Sequence, residues 1–223
     1  MIRVVVADDQ AIVRAGFTVI VEAAGDIEVV GEARDGYEAV EVAQALRPDV
    51  VCMDIRMPGL NGIEATRILA ADAAEPLAVL VVTTFDLDDY VFGALEAGAA
   101  GFLLKGSDEQ TLIAAIRSVA AGEGTLDQKL TRRVLAEFAT RRPDPVRRRD
   151  DLAAQLTARE LEILGLLCEG LSNQEMAQRL FIEPSTVKYH LAGLLVKLGV
   201  RDRLQAVVWA FQNGIVAPGD LSL

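Results

Sequence analysis

Three aspartates, a threonine and a lysine carry the chemistry offered by the first half of this chain. Asp8 and Asp9 follow an apolar run at residues 3–7, and Asp54 follows another at 50–53. Thr83 comes directly after a run at 79–82, and Lys105 directly after one at 101–104. Carboxylates drawn together repel unless a cation neutralises them. Oxygen ligands select a hard ion, and Mg²⁺ suits a shallow site that keeps its water ligands. Such an ion also neutralises an arriving phosphoryl group. A lysine and a hydroxyl opposite a metal-bound aspartate suit phosphoryl oxygens, which leaves Asp54 as the nucleophile that accepts the group. Any one of these acids alone reads as a solvated turn residue. Five such groups at one end of one sheet read as a site.

The elements that must position them are legible as a pattern. Short β-branched runs at 3–7, 28–31, 50–53, 79–82 and 101–104 alternate with helical patterns beginning near Gln10, Gly36, Asn61, Asp88 and Asp108. Near-continuous apolar strands separated by helices imply a parallel sheet covered on both faces. The expected fold for residues 1–122 is α/β, a doubly wound five-stranded parallel sheet of the flavodoxin-like kind. Its ligands bind at the carboxyl ends of the strands.

Residues 123–151 shift to basic clusters, Arg132-Arg133, Arg141-Arg142 and Arg147-Arg148-Arg149, with Pro143 and Pro145 between them. They are expected to be a linker. One amphipathic helix over 127–139 is expected within it, with Leu130, Val134, Leu135 and Phe138 on one face.

Residues 152–216 hold no strand pattern and are expected to be an all-α domain of four helices, with 217–223 a tail. Thr157 with Glu160 and Ser172 with Glu175 read as capping boxes. A third helix runs from Pro184 to a stop at Gly199, and a fourth over about 202–213. A tight turn between the second and third helices suggests a helix-turn-helix. On the third helix Val187, Leu191, Leu194, Leu195 and Leu198 form the expected buried stripe. Ser185, Thr186, Lys188, Tyr189 and Ala192 fall on other faces. A recognition helix offers its amino-terminal residues to base edges and phosphates in this way, so Ser185, Thr186, Lys188 and Tyr189 are expected DNA contacts. Lys197, Arg201 and Arg203 extend a basic edge for phosphates. His190, Trp209 and Phe211 read as packing residues.

The first 122 residues resemble the receiver domain of bacterial two-component response regulators. The matching stretches are residues 4–10, 54–62, 81–86 and 101–105. The resemblance implies an aspartyl phosphate on Asp54, donated by a sensor histidine kinase. It also implies Mg²⁺ held by Asp9, Asp54 and the backbone carbonyl of Arg56, with Asp8 in support. Thr83 and Lys105 would follow the phosphoryl oxygens inward. Phe102 stands where many receivers have Tyr, so a switch there works by ring packing without a hydroxyl. Gly106 stands where many have a cis-proline.

Residues 152–216 resemble the LuxR-type helix-turn-helix. The matches are 156–160, 170–173, Ala177, Leu180, 185–190 and 197–203. Together the two halves resemble the NarL/FixJ family of transcriptional regulators. That implies promoter DNA bound as a homodimer, with RNA polymerase as a further possible partner. Two departures stand in the third helix. Glu183 occupies a position where Ser or Thr commonly caps, and Ala192-Gly193 replaces residues that are often polar.

Two other readings compete with this one. A phosphohydrolase with Asp54 as nucleophile would place a general acid–base two residues on, but that position is Arg56, and the chain is expected not to be an enzyme. A constitutive DNA binder without phosphorylation control is opposed by the intact acid set. No run approaches the roughly 20 apolar residues of a membrane helix, and the amino terminus does not read as a signal peptide. A cytoplasmic location with Cys52 and Cys168 as free buried thiols is therefore expected. The net charge of −11 argues at first against nucleic acid. Yet residues 1–122 carry 8 basic and 20 acidic residues, a net −12, while 123–151 carry +2 and 152–223 carry −1. The acidity belongs to the first domain and leaves the helix-turn-helix region near neutral.

Overall fold

The computed structural model describes residues 1–71, 76–84, 88–126, 155–213 and 215. The chain divides into two compact units, 1–126 and 127–223. The expected helix over 127–139 and the tail 217–223 lie outside the described residues.

In the first unit β1 (Ile2–Ala7), β2 (Ile27–Ala33), β3 (Val50–Met53), β4 (Val79–Thr83) and β5 (Gly101–Leu104) alternate with α1 (Ala11–Glu22), α2 (Gly36–Leu46), α3 (Gly62–Ala70), α4 (Asp88–Glu96) and α5 (Glu109–Ala120). Every strand pair is parallel, and these five strands run in the order β2-β1-β3-β4-β5. The doubly wound parallel sheet is thus as read from the pattern, with one addition. Thr125–Leu126 forms β6, pairing with Gly101 and Phe102 of β5. The sequence reading places these two residues in the linker, because two residues carry no periodicity to recognise.

Alternate strand residues enter opposite layers. Val4, Val6, Val50, Cys52, Leu80 and Val82 pack with Val21 of α1 and with Leu112, Ile116 and Val119 of α5. The intervening Val5, Val51, Val79 and Val81 are buried as well. A strand buried on both faces leaves no polar position inside it, so its first polar residues appear where it emerges from the sheet. Side-chain caps start three of the helices: Asp35 accepts from Glu38 N–H at 2.9 Å, Asn61 from Glu64 N–H at 2.9 Å and Asp108 from Thr111 N–H at 2.9 Å.

In the second unit α6 (Ala158–Cys168), α7 (Asn173–Leu180), α8 (Pro184–Leu198) and α9 (Arg203–Gln212) surround one core. Both capping boxes form, Thr157 with Glu160 and Ser172 with Glu175. Val187, Leu191 and Leu194 are buried, and Leu195 and Leu198 pack partly buried beside them. Trp209 and Phe211 also pack against this core. Glu183 precedes α8 without any side-chain cap, and Pro184 takes the first turn.

Gly193 sits inside α8, where an added Cβ would meet only Glu160 Oε1 at 3.7 Å, ordinary contact. Glycine costs a helix interior up to about 1 kcal/mol relative to alanine. Gly193→Ala is therefore expected to stabilise the second unit by up to about 1 kcal/mol in urea unfolding. A loss of stability would show that the position is tighter than it looks.

Candidate functional site

Strand register brings the site together. Ala7 pairs with Met53, so Asp8 and Asp54 leave the sheet side by side where β1 and β3 separate. The order of strands reverses at that point, which is where doubly wound sheets bind ligands. Thr83 pairs with Leu104 across β4 and β5, and the Lys105 N–H donates to the Thr83 carbonyl at 2.8 Å.

Asp8 and Asp54 are buried, and one ammonium bridges them. Lys105 Nζ lies 2.6 Å from Asp8 Oδ2 and 2.9 Å from Asp54 Oδ2. The second oxygen of each acid is held by the backbone: Gln10 N–H donates to Asp8 Oδ1 at 2.9 Å, and Ile55 N–H to Asp54 Oδ1 at 2.8 Å. Burial alone would lower the Lys105 pKa. The hydrogen bonds and charges of Asp8 and Asp54 outweigh it and hold the group above its ordinary value, so it stays an ammonium. Arg14 Nη1 fastens the Asp8 carbonyl at 2.8 Å and its Nε pairs with Glu32 at 2.8 Å.

Asp9 is exposed, and one carboxylate oxygen each from Asp8, Asp9 and Asp54 lie within 4.8 Å of one another. Three carboxylates against one ammonium leave two negative charges in this pocket. An all-oxygen donor set with that imbalance fits a hard divalent cation. Thr83 is fully buried at its strand end. Phe102 is 1% exposed, three residues before Lys105 and opposite Val81. Arg56 stands exposed in the loop after Asp54.

In α8 of the second unit, Ser185, Lys188, Tyr189, Ala192 and Val196 are all exposed. Their spacing follows one face of a helix. Thr186 is half-buried beside them. Tyr189 is 77% exposed, with its ring set edge-on to His190 at 5.6 Å. Val196, 82% exposed, is a member of this face that sequence reasoning missed. Its place a turn beyond Ala192 was the available signal, hidden because Leu195 beside it is equally apolar. Phe181 was missed too. It is 95% exposed in a left-handed backbone conformation (φ 54°) at the end of α7, while Ile182 packs inward.

The remaining cations of the expected basic edge have partners within the unit. Lys197 Nζ lies 2.7 Å from Glu160 Oε2, Arg201 Nε 3.2 Å from Asp202 Oδ2, and Arg203 Nη2 donates to the Leu171 carbonyl at 2.6 Å. Asp202 also caps α9 through Gln205 N–H at 2.9 Å. Burial pushes its carboxyl up, with Arg201 opposing the shift.

A buried, lysine-bridged pair of aspartates at the switch point of a parallel sheet, with a helix-turn-helix in the second unit, fits a phosphorylation-dependent DNA-binding transcriptional regulator. Comparison with known proteins agrees. Residues 4–117 match the response regulator receiver domain, and residues 154–210 match the bacterial regulatory proteins of the luxR family. The transcriptional regulatory protein LiaR of Bacillus subtilis is 43% identical over 216 residues, covering 97% of this chain and all of that protein. An uncharacterised transcriptional regulatory protein of the same species, YxjL, is 41% identical, covering 96% of this chain and 97% of its own. The crystal structure of the response regulator ChrA, from a heme-sensing two-component system, is similar at 39% identity with a TM-score of 0.52, covering 96% of this chain and 98% of that one. The chain belongs to the NarL/FixJ family of two-component response regulators. Membership in that family brings a sensor kinase and promoter DNA as its partners. Among the described residues no helix is long and apolar enough to cross a membrane, and Cys52 and Cys168 are free and buried.

Proposed function

We propose that Asp54 is the phosphoacceptor and that Lys105, Thr83 and a divalent cation serve its phosphorylation. The observation that carries this is the Lys105 ammonium held 2.9 Å from Asp54 Oδ2 and 2.6 Å from Asp8 Oδ2. One cation between two buried carboxylates keeps a nucleophilic oxygen at the open end of the sheet. Asp54 Oδ2, as the carboxylate, attacks the phosphorus of the kinase phosphohistidine; the P–O bond forms as the P–N bond breaks, and the leaving imidazole takes its proton from water. Lys105 then faces the new phosphoryl oxygens. Thr83, one strand over, supplies the hydroxyl that reports their arrival to β4 and α4.

Asp8, Asp9, Asp54 and the Arg56 carbonyl would hold Mg²⁺, whose chemistry when bound is to neutralise the incoming phosphoryl charge. Phe102 has no hydroxyl, so its contribution to the switch is ring packing. On the output side Ser185, Thr186, Lys188 and Tyr189 face DNA, with RNA polymerase the natural recipient of an activating signal. Residues 1–122 act as receiver, 123–151 as linker and 152–216 as reader, and the protein works in the cytoplasm. Arg56 at the position where a phosphohydrolase needs an acid leaves the chain without turnover chemistry of its own.

Phosphorylation is expected to drive homodimerisation, since two small readers on adjacent half-sites gain strongly from avidity. Incubation with a small acyl phosphate and Mg²⁺ should double the mass in light scattering and tighten binding to promoter DNA. Chelating the divalent ion should abolish both changes. An unchanged mass counts against the dimer, and equal DNA affinity with and without phosphodonor favours a constitutive binder.

A further inference from the structure

We infer that Glu160 is a positioning residue which withholds Lys197 from DNA, so that Lys197 ties the recognition helix to its neighbour and contacts no phosphate. This rests on the DNA face assigned above. The geometry is a closed unit of three residues on two helices. Lys197 Nζ lies 2.7 Å from Glu160 Oε2, and the Glu160 side chain is only 8% exposed. The same carboxylate accepts the Thr157 N–H at 2.8 Å, so the capping box that starts α6 orients it.

Gly193, one turn before Lys197, lies beside the pair: a Cβ there would stand 3.7 Å from Glu160 Oε1, ordinary contact. The ammonium is the main influence holding the Glu160 carboxyl below its ordinary value, ahead of the Thr157 backbone and hydroxyl. Drawing Lys197 away leaves the Glu160 carboxylate, 8% exposed, without this cation, which is costly for a largely buried charge. A phosphate competing for Lys197, whose side chain is 41% exposed, must displace that pair.

Lys197, itself a member of the expected basic edge, is thus part of the scaffold that sets the angle of α8 on α6. DNA charge recognition shifts toward the amino-terminal half of the helix, where Ser185, Lys188 and Tyr189 lie.

The test is the salt dependence of full-chain binding to a short random-sequence DNA duplex. Each phosphate contact adds about 0.9 to the slope of log K against log salt, roughly a three- to fourfold change in affinity between about 50 and 200 mM. Glu160→Gln keeps an acceptor for the Thr157 N–H and removes only the charge. It is expected to steepen the slope by about 0.9 as Lys197 is released. The double variant Glu160→Gln/Lys197→Gln is expected to return to the parent slope. A Glu160→Gln slope equal to the parent's overturns the proposal, as does a double variant about 0.9 shallower than the parent. Lys188→Gln reads the DNA face separately. It lowers the slope by about 0.9 if that face is correct, and an unchanged slope refutes the face and leaves the two Glu160 results to decide the tie.

Discussion

Asp54→Asn should take up no phosphate from a small phosphodonor and should bind DNA equally with and without it. The substitution exchanges a carboxylate for a carboxamide of nearly the same shape. The amide oxygen can still accept from Ile55 N–H, which donates to Asp54 Oδ1 at 2.8 Å. Lys105 keeps its shorter contact with Asp8, 2.6 Å, so neither charged partner is left alone and the sheet has no reason to unfold. What disappears is the nucleophile. A neutral amide does not attack phosphorus at a useful rate, so the expected result is uptake reduced to background and not a partial fall. Acid-labile phosphate on Asp54→Asn equal to that on the parent would show that another residue accepts it. Genome-wide DNA capture comparing the two proteins would carry the same contrast to promoters.

Gly62→Ala should damage the same site from behind. An added Cβ at Gly62 would stand 1.9 Å from the Asp54 carbonyl oxygen and 3.0 Å from the Ile55 Cα, all backbone. Gly62 N–H meanwhile donates to the Ile55 carbonyl at 2.9 Å. No side-chain rotation relieves such an overlap, so α3 must withdraw from the loop that carries Asp54. Overpacking with side-chain relief costs typically 1–3 kcal/mol, and here the backbone must give, so a loss of at least about 3 kcal/mol is expected. Thermal unfolding should show it, with phosphodonor uptake falling in whatever folded fraction remains. A variant with unchanged midpoint and unchanged uptake would mean that the approach of α3 to Asp54 is unimportant. Tyr37 and Gly36 crowd the same corner, since a Cβ at Gly36 would meet the Leu60 carbonyl oxygen at 2.2 Å. The run 58–62 is therefore constrained by packing as well as by its turns.

Much of this protein is visible before folding. Strands buried on both faces admit no interior charge, so Asp8, Asp54 and Lys105 mark the strand ends by their chemistry alone. Capping boxes at Thr157 and Ser172 are local, three residues long, and appear as read. The buried stripe of α8 follows from helical periodicity. Sequence by itself thus determined the two-part architecture, the cluster of acids and the buried stripe of α8.

Tertiary structure decided which partners the charges choose. Lys197 and Glu160 are 37 residues apart and Arg203 and Leu171 are 32 apart, separations at which no local pattern operates. A count of basic residues over 188–203 could not reveal that three of them pair with a carboxylate or a carbonyl. Phe181 and Val196 were equally out of reach, because an apolar residue beside another apolar residue gives no sign of which one faces water. Nor does a glycine announce that a carbonyl lies where its Cβ would be. Periodicity and capping are short-range consequences of backbone geometry. The pairing of charges depends on distances that exist only once the helices have packed.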